Sequence, residues 1–130
     1  MGKLGIFDEE RSKWIQFDED AEVLVGFISK EELDKLSTKA SKAARLSGQN
    51  EKEVFNRMLG RSAVQGWRKV DDYNHPGLIV KGQPLSFTPE NVDMLMKRSL
   101  EFSAFINENA INSKLFLDEE EEREETKNAS

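Results

Sequence analysis

The chain has 130 residues, with 19 Lys and Arg against 25 Asp and Glu, one His and no Cys. A chain of this length fits one compact domain that folds without a disulfide or a structural metal. The absence of cysteine excludes thiol nucleophiles, cysteine-ligated zinc and iron–sulfur clusters, and it favours a reducing compartment such as the cytosol.

The negative charge is concentrated at one end of the chain. Residues 118–130 hold seven acids and two bases, whereas the other 117 residues hold 18 acids and 17 bases. A nearly neutral body predicts no binding to nucleic acid, which requires clustered Lys and Arg. The longest apolar runs are far shorter than the roughly 20 residues of a membrane-spanning helix, so we expect no membrane segment.

The first predicted element is a β-hairpin near residues 13–28. Residues 14–17 and 22–28 are rich in β-branched and aromatic side chains, and the polar residues 18–21 between them suit a hairpin turn. Val23, Val25 and Phe27 alternate with residues that are also largely apolar. We therefore expect helices to cover at least one face of the hairpin.

Two helices are predicted next, over residues 30–46 and 51–68. Ser29 and Glu32 have the spacing of a capping box, and Gly48 is a natural helix stop. Asn50 caps the second helix, whose apolar periodicity extends to Trp67.

A loop, a short strand and a long third helix complete the predicted elements. Residues 71–77 have loop composition, residues 78–80 form the strand and residues 81–84 form a turn. Thr88 and Pro89 are strong signals for a helix start. Apolar residues then recur at the helical period to residue 111, which predicts a single helix over residues 89–111.

These elements predict a small α+β domain, with an N-terminal β-hairpin packed on about three helices. Residues 1–12 are expected to form a flexible leader, residues 13–117 the domain, and residues 118–130 an acidic, disordered tail.

Few residues suggest chemistry, and each has a structural explanation. His75 lies beside Asp71 and Asp72, a combination that a hydrolase or a metal site could use, but a single His before Pro and Gly is more often a loop residue. No phosphate-binding loop or nucleophile motif is present. We expect no enzymatic activity and no cofactor, and the sequence assigns no catalytic or metal-binding residue.

Apolar residues offer the alternative of partner binding. Trp14 and Trp67 are either core residues or interface anchors, and burial is expected for Trp67. The same two interpretations hold for an apolar stripe on the third helix, for which core packing is the default: Leu95, Met96, Leu100, Phe102, Phe105 and Ile106. The partner-binding face stays unassigned.

The order of features resembles a known family more than any single motif does. An apolar helix closing on Trp67 is followed by the turn residues Gly82 and Pro84, by the cap sequence Thr-Pro-Glu-Asn over residues 88–91, and by an acidic C-terminus. Over residues 13–128, this order is similar to that of tail assembly chaperones of long-tailed phages and prophages.

The resemblance implies a protein of the host bacterial cytoplasm that binds and solubilises the helical tape measure protein. It also implies contact with the tail tube protein, often through a longer frameshifted product. Two alternatives stay open. One is a small structural tail or head–tail connector protein that remains in the virion, and the other is a regulatory protein whose acidic tail mimics nucleic acid.

Overall fold

The computed structural model describes residues 11–112, and it begins with the predicted hairpin. Strand β1 (Ser12–Gln16) pairs antiparallel with strand β2 (Ala21–Gly26). In the turn, Asp18 Oδ1 accepts hydrogen bonds from the backbone N of Asp20 at 2.8 Å and of Ala21 at 2.7 Å. The predicted leader is wrong at its end, because strand β1 includes Ser12 and the Arg11 carbonyl accepts a 2.7 Å hydrogen bond from the backbone N of Phe27. Residues 1–10 of the leader, residues 113–117 of the predicted domain and the acidic tail lie outside the described residues.

The next two helices begin where the capping signals predict. Helix α1 (Lys30–Ser47) has the complete Ser29–Glu32 capping box, and Gly48 ends it in the left-handed conformation with φ of 75°. Helix α2 (Glu51–Ala63) begins after Asn50, whose side chain accepts a hydrogen bond from the backbone N of Glu53. The two helices form a pair that contacts through small side chains, chiefly Ala40, Ala44 and Val54.

The predicted second helix is wrong in its last five residues. The chain leaves the helix after Ala63 and continues as strand β3 (Val64–Lys69), which pairs antiparallel with β2. The pairing register shifts by one residue at Gln65, which lies between the partners of Leu24 and Val25, as in a β-bulge. Trp67 therefore lies on a strand opposite Val23 and not on a helical face.

The segment after the loop forms the short strand and turn that the sequence predicts. Strands β4 (Ile79–Val80) and β5 (Gln83–Pro84) are joined by Lys81 and Gly82, with φ of 52° and 79°. Positive φ at both central residues is typical of a type I′ hairpin turn, which explains the glycine.

The predicted single helix over residues 89–111 is two helices. Helix α3 (Pro89–Arg98) begins at the predicted Thr88 cap, and helix α4 (Leu100–Ala110) follows after a break at Ser99. The described part of the chain thus has four helices and not three. None of them is long and apolar enough to cross a membrane.

One apolar core joins the β1–β2–β3 sheet to helices α2, α3 and α4, which confirms the α+β fold class. Trp67 is buried in this core, as predicted, and its Nε1 donates a 2.7 Å hydrogen bond to the carbonyl of Leu85. The Trp67 ring makes edge-to-face contacts with Phe87 and Phe102, at centroid distances of 5.0 and 6.0 Å. Phe17 contacts Phe102 in the same geometry, at 5.6 Å.

Helices α2 and α3 approach closely because Gly60 has no side chain. A Cβ at Gly60 would lie 2.5 Å from Met96 Cγ and 3.2 Å from Val92 Cγ1. Beside this contact, the Arg61 guanidinium donates two hydrogen bonds to the Asp93 carboxylate, at 2.9 and 2.7 Å. These bonds raise the pKa of Arg61 above its ordinary value, against the smaller opposing effect of desolvation.

We predict that Trp67→Ala lowers the free energy of unfolding by about 3 to 5 kcal/mol, because it leaves a cavity among the packed rings. Trp67→Phe fills most of that volume and is expected to lose about 1 to 3 kcal/mol, because the Leu85 carbonyl is then unpaired. Urea denaturation of both variants measures the effect. An unchanged melting temperature for Trp67→Ala would contradict the core assignment.

We also predict that Gly60→Ala destabilises the protein by about 1 kcal/mol or more through overpacking against Met96. The same change in an uncrowded helix adds roughly 0.5 to 1 kcal/mol of stability, so the sign of the effect is diagnostic. The matched control is Gly60→Ala in a Met96→Ala background, where the clash is relieved and the loss should shrink. A stabilised single variant would show that the close approach does not depend on glycine.

Candidate functional site

The break between α3 and α4 is formed by one serine. Ser99 has an extended backbone, with φ of −105° and ψ of 108°. It is both the C-cap of α3 and the N-cap of α4. Its backbone N donates to the Leu95 carbonyl at 2.9 Å, and its Oγ accepts from the Phe102 backbone N at 3.1 Å. The chain therefore changes direction at Ser99 without leaving either of these groups unpaired.

An apolar groove of about 460 Å³ lies at this break, between α3, α4, the β1–β2 turn and the β4–β5 hairpin. Leu78, Leu95 and Phe102 line it and are themselves buried in the core. Ile79, also in the lining, is 53% exposed, and Leu100, next in the chain to Ser99, is 86% exposed. Exposed aliphatic side chains beside a preformed apolar groove are typical of a surface that binds a partner.

The groove also has charged residues of both signs, which are Asp18, Lys81, Arg98 and Glu101. Asp18 is held in place by the two backbone hydrogen bonds of the β1–β2 turn. An apolar groove with charges of both signs contributes affinity through burial and favours one orientation of a ligand through its charges. This arrangement suits one face of an amphipathic helix.

A second exposed surface lies on the outer face of the sheet, opposite the core residues. The Arg68 guanidinium lies between two rings, 3.7 Å from the Trp14 centroid and 3.6 Å from the Tyr73 centroid. Its Nε donates a 2.5 Å hydrogen bond to Glu22, and Tyr73 is 65% exposed. Trp, Tyr and Arg are the residue types most enriched at interface hot spots, so this stack is a second candidate contact surface.

His75 has a structural role in the loop that precedes β4. Its Nδ1 accepts a hydrogen bond from the Gly77 backbone N at 2.9 Å, and its carbonyl accepts one from the Lys69 backbone N at 2.7 Å. Gly77 has φ of 80°, and a Cβ there would lie 2.7 Å from the Arg68 carbonyl oxygen. Among residues 11–112, no group of three or more His, Cys, Asp or Glu side chains could hold a metal ion.

The apolar stripe predicted on the third helix divides between the core and the groove, except that the expected core packing is wrong for Leu100, which is 86% exposed and lines neither. Met96 and Ile106 are buried in the core, Phe105 is half-buried against it, and Leu95 and Phe102 face the groove from the core. Phe17 and Ile79 were missed as groove residues, because they come from separate hairpins. Their only sequence signal is an apolar residue beside a turn, which many hairpins share.

We predict that Ser99→Ala lowers the free energy of unfolding by about 0.5 to 2 kcal/mol, because the Phe102 backbone N loses its capping partner. Ser99→Asp keeps an acceptor at the cap and is the matched control, expected to fold with nearly unchanged stability. Urea denaturation distinguishes the two variants. Greater stability of Ser99→Ala would mean that the capping bond does not stabilise the break.

Comparison with known proteins gives a family but no close relative. Residues 27–128 match the family model described as YdaY prophage protein. No curated protein and no solved structure matches the chain. The matched region covers more than three quarters of the sequence and includes α1 to α4, strand β3, the β4–β5 hairpin and the break at Ser99. The chain therefore belongs to the YdaY prophage protein family and is a phage-related protein.

Proposed function

We propose that this prophage protein is a tail assembly chaperone without enzymatic activity, which binds amphipathic helices of the tape measure protein in the host cytoplasm. The observation that carries the proposal is the apolar groove at the Ser99 break, with Ile79 exposed in its lining and Leu100 exposed between the lining residues Ser99 and Glu101. The family supplies the phage context, and the similarity in the order of sequence features supplies the tail-assembly role. Recruitment of tail tube subunits is part of the same proposal.

The groove suits side chains of one helix face. An amphipathic helix presents apolar residues at spacings of three and four, which form a stripe that must be covered in water. The groove volume of about 460 Å³ accommodates a few such side chains rather than a whole helix. A long tape measure would then be covered by several copies of the chaperone, each binding a short stretch.

The chemistry of the groove also suits reversible binding. Met94 lines it, and the unbranched thioether side chain adapts to ligands of different shape. A groove this small forms only the centre of an interface, so we expect the modest affinity of a transient complex. A chaperone that is absent from the finished particle must release the tape measure during assembly, which a transient complex permits.

The alternative is a structural tail or head–tail connector protein that remains in the virion. The stack of Trp14, Arg68 and Tyr73 favours it, because rigid anchors on the outer face of the sheet suit a permanent subunit interface. Mass spectrometry of purified particles separates the two functions. A chaperone is absent from the particles, whereas a structural subunit is present in multiple copies.

We predict that an Ile79→Asp, Leu100→Asp double variant loses about tenfold or more in affinity for the tape measure, which corresponds to about 1.4 kcal/mol. The fold should be little affected, because both side chains are exposed. The measurement is the soluble yield of the tape measure protein of the same prophage, coexpressed with each variant, together with titration of the purified proteins.

Leu46→Asp is the matched control, since Leu46 is 81% exposed on α1 and does not line the groove. It should solubilise the tape measure as the wild type does. Equal losses for the groove and control variants, or no loss for either, would contradict binding at the groove. No solubilisation by the wild-type chain would overturn the chaperone proposal itself.

A further inference from the structure

Helix α1 presents a basic stripe to solvent. Lys35, Lys39 and Lys42 are separated by four and three residues, so they lie on one side of the helix, and Arg45 follows on the next turn. All four residues are exposed. The opposite side of α1 carries Ala40 and Ala44, which pack against α2. We define the basic stripe as Lys35, Lys39, Lys42 and Arg45.

Most of the basic stripe lacks an ionic partner in the described part of the chain. Lys35 Nζ lies 3.8 Å from Glu31, one turn away on the same helix. Among residues 11–112, no carboxylate oxygen lies within 4 Å of the charged nitrogens of Lys39, Lys42 or Arg45. Three adjacent cations are thus available to a negatively charged ligand.

The complementary charge is in the chain itself. Residues 11–112 hold 15 Lys and Arg and 15 Asp and Glu, so that part of the chain has no net charge. Residues 118–125 hold seven acids and Arg123. This acidic segment is the strongest concentration of negative charge in the sequence.

The fold brings the start of the basic helix to the point from which the acidic segment departs. The Ala110 carbonyl at the end of α4 accepts a 2.8 Å hydrogen bond from the backbone N of Ile28, two residues before α1 begins. The five residues 113–117 span at most about 17 Å when extended, and residues 118–125 add at most about 27 Å. Lys35 and Lys42 lie roughly 8 and 18 Å along the axis from the first residue of α1. Arg45, at the far end of the stripe, lies roughly 22 Å along the same axis, so the acidic segment can reach the whole stripe.

We propose that residues 118–125 bind the basic stripe of α1 in the same molecule. The tether raises the effective concentration of the segment to the millimolar range, which makes even a weak ionic contact populated. The basic stripe is exposed, so the contact is screened when the Debye length falls from about 10 Å at 0.1 M salt to about 3 Å at 1 M. It requires no regular secondary structure in the segment, and it does not depend on the chaperone role.

Carbodiimide cross-linking of the full chain, followed by mass spectrometry, tests this contact because the reagent joins only carboxylates and amines in direct reach. We expect cross-links from residues 118–125 to Lys39 and Lys42 at low salt, decreasing several-fold at about 1 M salt. Lys97, an exposed lysine on α3, is the internal control and should give few.

Charge-reversal variants separate ionic attraction from mere proximity. Lys39→Glu should decrease the cross-link yield at Lys42 several-fold, whereas Lys97→Glu should leave it unchanged. In an equal mixture of isotope-labelled and unlabelled chains, the cross-linked peptide pairs should be either fully labelled or fully unlabelled. Three results would each overturn the proposal. They are equal cross-link yields at Lys97 and Lys39, yields that do not change with salt concentration, and cross-linked pairs that combine a labelled with an unlabelled peptide.

Discussion

The burial of one indole ring holds the separate parts of this domain together. Trp67 joins strand β3 to the irregular segment before α3 through its hydrogen bond to Leu85, and to α4 through the Phe102 ring. Each of these segments follows a different turn or loop, so no local interaction fixes their relative positions. Phe102 also lines the groove on the side of the core. The ring that stabilises the core therefore also supports the candidate binding surface.

The groove itself depends on the interruption of a helix. A helix continued through Ser99 would follow a single axis, whereas the capped break turns the chain and leaves Leu100 in solvent. The short β4–β5 hairpin, with its type I′ turn at Lys81 and Gly82, completes the other wall. Two local features, the capped break and the short hairpin, thus shape the surface on which the proposed recognition of amphipathic helices rests.

Local signals in the sequence predicted the helix starts well, and tertiary effects account for the errors. Ser29, Asn50 and Thr88 cap helices as expected, because capping needs only neighbouring backbone groups. Strand β3 was not predicted because Trp67 follows Ala63 by four residues, a spacing that also fits a helix. The pairing of β3 with β2 is a long-range interaction that no local signal indicates. The Ser99 break was missed because the apolar periodicity continues across it. The groove could not be predicted, since its walls come from distant hairpins.

Hydrogen–deuterium exchange of the full chain, alone and with the tape measure protein, tests the central claim of helix binding at the groove most directly. We expect slower exchange around Ile79–Val80 and around Ser99, at the end of α3 and the start of α4. Strand β1 carries Trp14 of the outer sheet face, and its amides should exchange as in the unbound chain. Protection confined to the sheet, with unchanged exchange at the groove, would contradict the account.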